Sequence, residues 1–151
     1  EEGASRYVGS IAMKLGRRMA FDFGDARVGV AISDNLGFLA TPRGFLKNDE
    51  FLEAEITKLF EEYDPIYVAV GIPRHLSGSS SAKEESVRNF IAMLTEKFAV
   101  EIVEVDERMT TVSANKLLQD NGKNSRQSKN LIDAASAALI LESALHAEKE
   151  N

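Results

Sequence analysis

The stretch Met19-Ala20-Phe21-Asp22-Phe23-Gly24-Asp25-Ala26-Arg27-Val28-Gly29-Val30-Ala31-Ile32-Ser33 decides the fold. Residues 19–23 and 27–33 each read as a strand, and Gly24-Asp25 between them is a turn signal, so the two form an antiparallel hairpin. Asp22 interrupts the apolar run. Ala20 shares its face, while Phe21 and Phe23 take the other. An uncompensated carboxylate in such a strand costs several kcal/mol or is driven to protonate. A cation, backbone donors from the Gly24 turn or a metal must compensate it. The simpler alternative is an aspartate that organises the turn through its side chain.

Working outward, residues 38–45 supply a third strand, which Pro42 confines to an edge or an irregular stretch. The period then changes. Phe51, Leu52, Ile56, Leu59, Phe60 and Tyr63 fall on one helical face, opposite most of the local acids, and Asp64-Pro65 ends that helix. Residues 66–71 (IYVAVG) form a nearly continuous apolar run, as in a strand covered on both faces. After a polar loop, Ser81 and Glu84 make a capping box for a helix that buries Val87, Phe90, Ile91, Leu94 and Phe98. Residues 100–105 are the next strand, leading into Asp106-Glu107-Arg108. A helix is expected over about 111 to 120, then a basic loop at 123–129 (KNSRQSK), and an alanine-rich helix over about 130 to 146. The pattern predicts an α/β domain over 17–151: a mixed sheet of three antiparallel strands followed by parallel strands, flanked by helices. Residues 1–16 lack sustained periodicity and read as a loosely ordered extension.

Composition narrows the chemistry. The chain has 151 residues, 44% of them hydrophobic, enough for one domain with a real core. It has no cysteine, which excludes disulfides, thiol catalysis and thiolate zinc sites. His75 and His146 are its two histidines, too few for a histidine-rich metal site. No apolar run approaches the roughly 18 residues of a membrane span, and no secretory stretch opens the chain, so a cytoplasmic location is expected. Net charge is −6, which argues against a surface that attracts nucleic acid as a whole. That charge is local. Seven acids and one lysine lie between Asp49 and Asp64, and the rest of the chain balances.

Two further acidic positions resemble Asp22 in being expensive. Asp106 and Glu107 follow an apolar strand, and alternation turns only one of them toward the Asp22 region. Taken alone, the pair reads as a strand end with a local ion pair to Arg108. Asp133 is expected in the first turn of the last helix, where the macrodipole stabilises an acid by about 0.3–1 kcal/mol. It precedes Ala134-Ala135-Ser136-Ala137-Ala138, small residues that let a helix approach a sheet closely. If the strands lie side by side, the three positions converge. Clustered carboxylates with few histidines suit Mg²⁺ or Mn²⁺ rather than zinc. Two such ions roughly 3.5–4 Å apart suit in-line phosphodiester hydrolysis. Candidate phosphate contacts are Arg74, His75, Arg108, Lys123, Arg126 and Lys129, with backbone amides of Ser77-Gly78-Ser79-Ser80.

Five motifs in order, Ala20-Phe21-Asp22-Phe23-Gly24, Gly29-Val30-Ala31, Val70-Gly71-Ile72-Pro73 with Leu76-Ser77-Gly78, Asp106-Glu107-Arg108-Met109-Thr110-Thr111 and Asp133-Ala134-Ala135-Ser136-Ala137, resemble the YqgF/RuvX family. The resemblance implies a ribonuclease H-like fold and a metal-dependent nuclease. Its expected reaction is 5′-end maturation of pre-16S ribosomal RNA, with Holliday junction resolution as the alternative. It also implies a site built of Asp22, the Asp106-Glu107 pair and Asp133. Asp22, Glu107 and Asp133 are taken as the Mg²⁺ or Mn²⁺ ligands, although the motif leaves Asp106 open. The strand ending at Gly71-Ile72 lacks the acid that several better-known ribonuclease H-like enzymes carry there. Precursor ribosomal RNA or branched DNA is the implied partner of a monomer or homodimer, and the acidic face at 49–64 offers a contact for a ribosomal protein. Rival readings are a non-catalytic binding module of the same fold and an actin-like ATPase, which would need a second domain.

Overall fold

The computed structural model describes residues 7–8, 13–74, 82–109 and 125–150, with side chains described over 14–74, 82–108 and 135–150. Two short strands, β1 (Tyr7–Val8) and β2 (Met13–Lys14), pair antiparallel ahead of the main domain. The main sheet holds β3 (Arg18–Phe23), β4 (Arg27–Ser33), β5 (Ala40–Lys47), β6 (Tyr67–Ile72) and β7 (Ile102–Asp106) in the order β5-β4-β3-β6-β7. Among the described residues, three helices flank it: α1 (Leu52–Tyr63), α2 (Ala82–Phe98) and α3 (Ser125–Glu150).

The hairpin forms as its sequence dictates. β3 and β4 pair antiparallel down to Phe23↔Val28, and the Gly24 amide donates to the Arg27 carbonyl at 2.8 Å. A Cβ on Gly24 would sit 2.8 Å from that oxygen, so the turn needs glycine. β5 pairs antiparallel with β4 at the sheet's edge, where the missing N–H of Pro42 is tolerated. β6 and β7 then add in parallel beside β3. β6 is buried along its whole length, which explains its unbroken apolar sequence.

Alternation along each strand sorts the core into two layers. Phe21, Val28, Val30, Val68, Val70 and Ile72 meet Ile56, Val87, Phe90 and Leu94 on the side of α1 and α2. Ala20, Ala31 and Ala69 meet Ala137, Ile140, Leu141 and Ala144 on the side of α3. Alanine against alanine brings the α3 axis close to the sheet. Asp22, in phase with Ala20, points to this second layer, whereas the acidic helix α1 lies on the other. The Asp64 cap of α1 is left-handed (φ 45°) and its amide bonds Phe60 O, closing the helix before Pro65. Phe51, expected on the buried stripe, is instead exposed, because the helix begins one residue later at Leu52.

One structural device has no sequence signal. Arg18, at the start of β3, is fully buried. Its guanidinium donates to the carbonyls of Gly16 (2.6 Å), Lys14 (3.0 Å) and Asn35 (3.0 Å) and is paired with Glu148 near the end of α3. The Tyr67 hydroxyl donates to the same carboxylate at 2.8 Å. This knot ties the end of α3 to the sheet. Gly37, at φ 73°, passes so close that a Cβ there would lie 2.9 Å from the Arg18 guanidinium carbon.

The last helix begins at Ser125, five residues before the expected start. Arg126 and Lys129 therefore lie in its first turns rather than in a loop. Asp133 is more than two turns in, beyond the reach of the macrodipole argument. The expected helix over 111 to 120 and the capping residue Ser81 lie outside the described residues.

Candidate active site

Asp22 and Glu107 are brought together by two different elements. Asp22 stands next to last in β3, directly across from Gly29 of β4. On its other side is β6, whose Val70 pairs with Phe21, so Gly71 is the neighbour at the level of Asp22. β7 ends at Asp106, and the single 3₁₀ turn Glu107–Met109 carries the next side chain back over the sheet. Glu107 reaches Asp22 across β6 because Gly71 has no side chain. A Cβ on Gly71 would lie 2.7 Å from Glu107 Cγ and 2.6 Å from Ile140 Cδ1. The place of a side chain on β6 is thus taken by the glutamate that follows β7.

The electrostatics follow from that geometry. Burial, then the hydrogen bond to Glu107 and that group's negative charge, push the Asp22 carboxyl up to about 8; the Lys83 ammonium pulls it partly back. Burial beside a second carboxyl thus favours the protonated form of Asp22 unless a cation intervenes. Lys83, second residue of α2, is a contributor that sequence reading missed. Its only sequence signal is its place one residue before Glu84, in the first turn of a helix whose N-terminus abuts the strand ends. Gly71 stands out in the sequence only for the acid it lacks.

Asp106 goes the other way. Val103 and Val105 pack on the α3 side, so Asp106 faces the α2 side and is not brought to Asp22. Its carboxylate accepts from Arg108 Nη2 at 2.6 Å, from Nε at 3.0 and 3.1 Å, and from the Arg108 amide at 3.0 Å. The Arg108 hydrogen bonds hold this carboxyl below the usual carboxylate range. Of the adjacent acids, Glu107 is the one that turns toward Asp22. Arg74 is half exposed and 4.0 Å from Glu104, which also accepts from Arg88 at 2.7 Å. His75 and Lys123 lie outside the described residues. Asp133, Arg126 and Lys129 are on the α3 backbone, their side chains outside the described set. Among the described residues no group of three or more His, Cys, Asp or Glu side chains could hold a metal ion.

Gly71→Ala tests this arrangement. The new methyl cannot be accommodated without moving Glu107 or Ile140. Displacement of Glu107 by about an ångström is expected to cost roughly 10²-fold in any activity of the pair, with about 1–3 kcal/mol of stability lost to overpacking. Steady-state rates and urea unfolding of the variant measure both.

Sheet order, the alternating layers and a partly buried carboxylate pair anchored on the first strand of the main sheet define a ribonuclease H-like protein with an acidic centre. The family model RuvX, described as Holliday junction resolvase, matches residues 16–147, and the chain belongs to that family. A relative from Streptomyces coelicolor, named "Putative pre-16S rRNA nuclease", is 42% identical over 140 residues, covering 91% of this chain and 84% of the relative. One of the same name from Lactococcus lactis subsp. cremoris is 36% identical over 135 residues, covering 87% and 94%. Among solved structures, Thermus thermophilus RuvC in complex with a Holliday junction substrate aligns with a TM-score of 0.57 at 14% identity, over 90% of this chain and 97% of that one. Fowlpox virus resolvase with Holliday junction DNA aligns at 0.53 and 14%, over 87% and 98%. These likenesses establish a RuvC-like ribonuclease H fold. No helix among the described residues is long and apolar enough to cross a membrane.

Proposed function

We propose that the protein hydrolyses phosphodiester bonds of structured nucleic acid, in 5′-end maturation of pre-16S ribosomal RNA, with Asp22, Glu107 and Asp133 as ligands for Mg²⁺ or Mn²⁺. The observation that carries this is the Asp22–Glu107 pair. Asp22 is withdrawn from water against a second carboxyl, and its raised proton affinity marks a place where positive charge is wanted. The donors are oxygens only, and the neighbouring lysine belongs to an exposed helix start, so the pair fits a hard divalent cation. When bound, such a cation supplies charge stabilisation at the phosphate and a more acidic water.

The chain's own residues do the rest. Gly71 and the 3₁₀ turn position Glu107. Asp106 acts through Arg108, fixing its guanidinium at the end of β7. Arg108 and Arg74, with His75, Lys123, Arg126 and Lys129, are the proposed phosphate contacts. Lys83 adds positive charge at the α2 start. The protein is read as cytoplasmic, a monomer or homodimer, with the α1 face available to a ribosomal protein.

The family description favours a second reading, resolution of branched DNA. A side-by-side cleavage assay on precursor 16S RNA and a four-way DNA junction, with and without Mg²⁺ or Mn²⁺, decides between them. Cation-dependent cleavage of the RNA alone supports the first reading. Cleavage of the junction alone replaces it with the second. Cleavage of neither leaves a binding module.

A further inference from the structure

The face that carries Asp22 holds a second group of side chains. In β4, Val28, Val30 and Ile32 belong to the α1–α2 layer and Ala31 to the α3 layer. Arg27 and Gly29 are therefore on the α3 side with Asp22. Leu46 of β5 packs in the α1–α2 layer, which turns Phe45 and Lys47 to the α3 side as well. The register makes a row across the sheet, with Asp22 beside Gly29 and Gly29 beside Phe45. At about 4.8 Å per strand, Phe45 stands roughly 10 Å from Asp22, and the residue between them has no side chain. The Arg27 guanidinium lies over the Phe45 ring, 4.9 Å from its centroid. Lys47 is exposed and directly opposite Arg27 in the ladder.

Like charges set directly opposite each other destabilise a strand pair. Two cations on the face of Asp22, one of them exposed, suit a polyanion lying across it. We infer that Arg27, Phe45 and Lys47 form a platform for the nucleic-acid strand next to the scissile phosphate. Exposed Lys47 neutralises a phosphate, and Arg27, stacked on Phe45 with its Nη1 buried, adds positive charge beside it. This inference rests on the nuclease reading above, and it places the substrate's path over β4 and β5, away from the acidic α1.

Arg27 has Asp25 two residues away in the hairpin turn, so Lys47 gives the sharper test. The experiment measures binding of a fluorescent single-stranded RNA and of precursor 16S RNA to the Asp22→Asn protein by anisotropy over a range of salt. Lys47→Glu is compared with Lys58→Glu, an equal charge change on the exposed α1 surface. Lys47→Glu is expected to weaken binding roughly tenfold at low salt and to flatten the log–log salt slope by about 0.7, the loss of one single-strand phosphate contact. Its Tm should equal or exceed the parent's, since the introduced carboxylate would face Arg27. Lys58→Glu should leave affinity within about twofold. Equal effects of the two variants, or none from Lys47→Glu, would overturn the platform while leaving the nuclease reading in place. Failure of the parent to bind any nucleic acid would overturn the nuclease reading itself.

Discussion

Asp22→Asn is expected to lower cleavage by about 10³-fold or more, equivalent to about 4 kcal/mol of transition-state stabilisation, while raising the Tm at alkaline pH. Both effects have one origin. The folded protein holds the Asp22 proton up to about pH 8, whereas the unfolded chain releases it near the ordinary aspartate value of 3.8. A group that binds its proton more tightly when folded contributes stability that is fully present below about pH 4. That contribution is lost as pH rises toward 8. Asparagine keeps the shape and a hydrogen bond to Glu107 without the charge, so the slope from this group disappears. The Tm difference between variant and wild type should therefore be small near pH 4 and grow in the variant's favour up to pH 8. A thermal scan at several pH values, with chelator present, reads it. A variant less stable than wild type at pH 8 would show that Asp22 serves the hairpin turn instead.

Glu148→Ala is the largest stability loss expected away from the site, about 3–5 kcal/mol. It removes the carboxylate but leaves the Arg18 guanidinium fully buried, and it strips the Tyr67 hydroxyl of its acceptor. Most of the cost comes from that stranded charge. The double variant Arg18→Met, Glu148→Leu should recover much of it, because replacing both partners by apolar groups removes the desolvation penalty as well. Urea unfolding of the three proteins measures the pattern. If the double variant is no better than the single one, the carbonyl contacts of Arg18 rather than its charge hold the end of α3.

Much of this was legible in the chain because apolar periodicity reports burial directly. The hairpin, the edge position of β5, the doubly covered β6 and the odd cost of Asp22 all follow from side-chain alternation. Where the signal is not apolar, reading fails. Residues 125–129 are polar, so no apolar stripe marks them as helix, although Arg, Gln and Lys all favour it. Arg18 is buried by a partner 130 residues away, beyond any local pattern. The choice between Asp106 and Glu107 turns on which side of β7 meets α3, a tertiary fact. Gly71 looks in the sequence like a missing acid, and its meaning depends on a side chain arriving from the neighbouring strand. The row Arg27, Phe45 and Lys47 needs the β4–β5 register before its residues can be seen together.

In the proposed mechanism Asp22 and Glu107, not Asp22 and Asp106, form the hydrolytic pair. Cation-dependent cleavage by Glu107→Gln and Asp106→Asn, measured side by side on the substrate that wild type cuts, tests it most directly. Glu107→Gln is expected to lose about 10³-fold, and Asp106→Asn, on the far side of the sheet, no more than about tenfold through its grip on Arg108. The opposite order, with Glu107→Gln active and Asp106→Asn dead, would contradict the account.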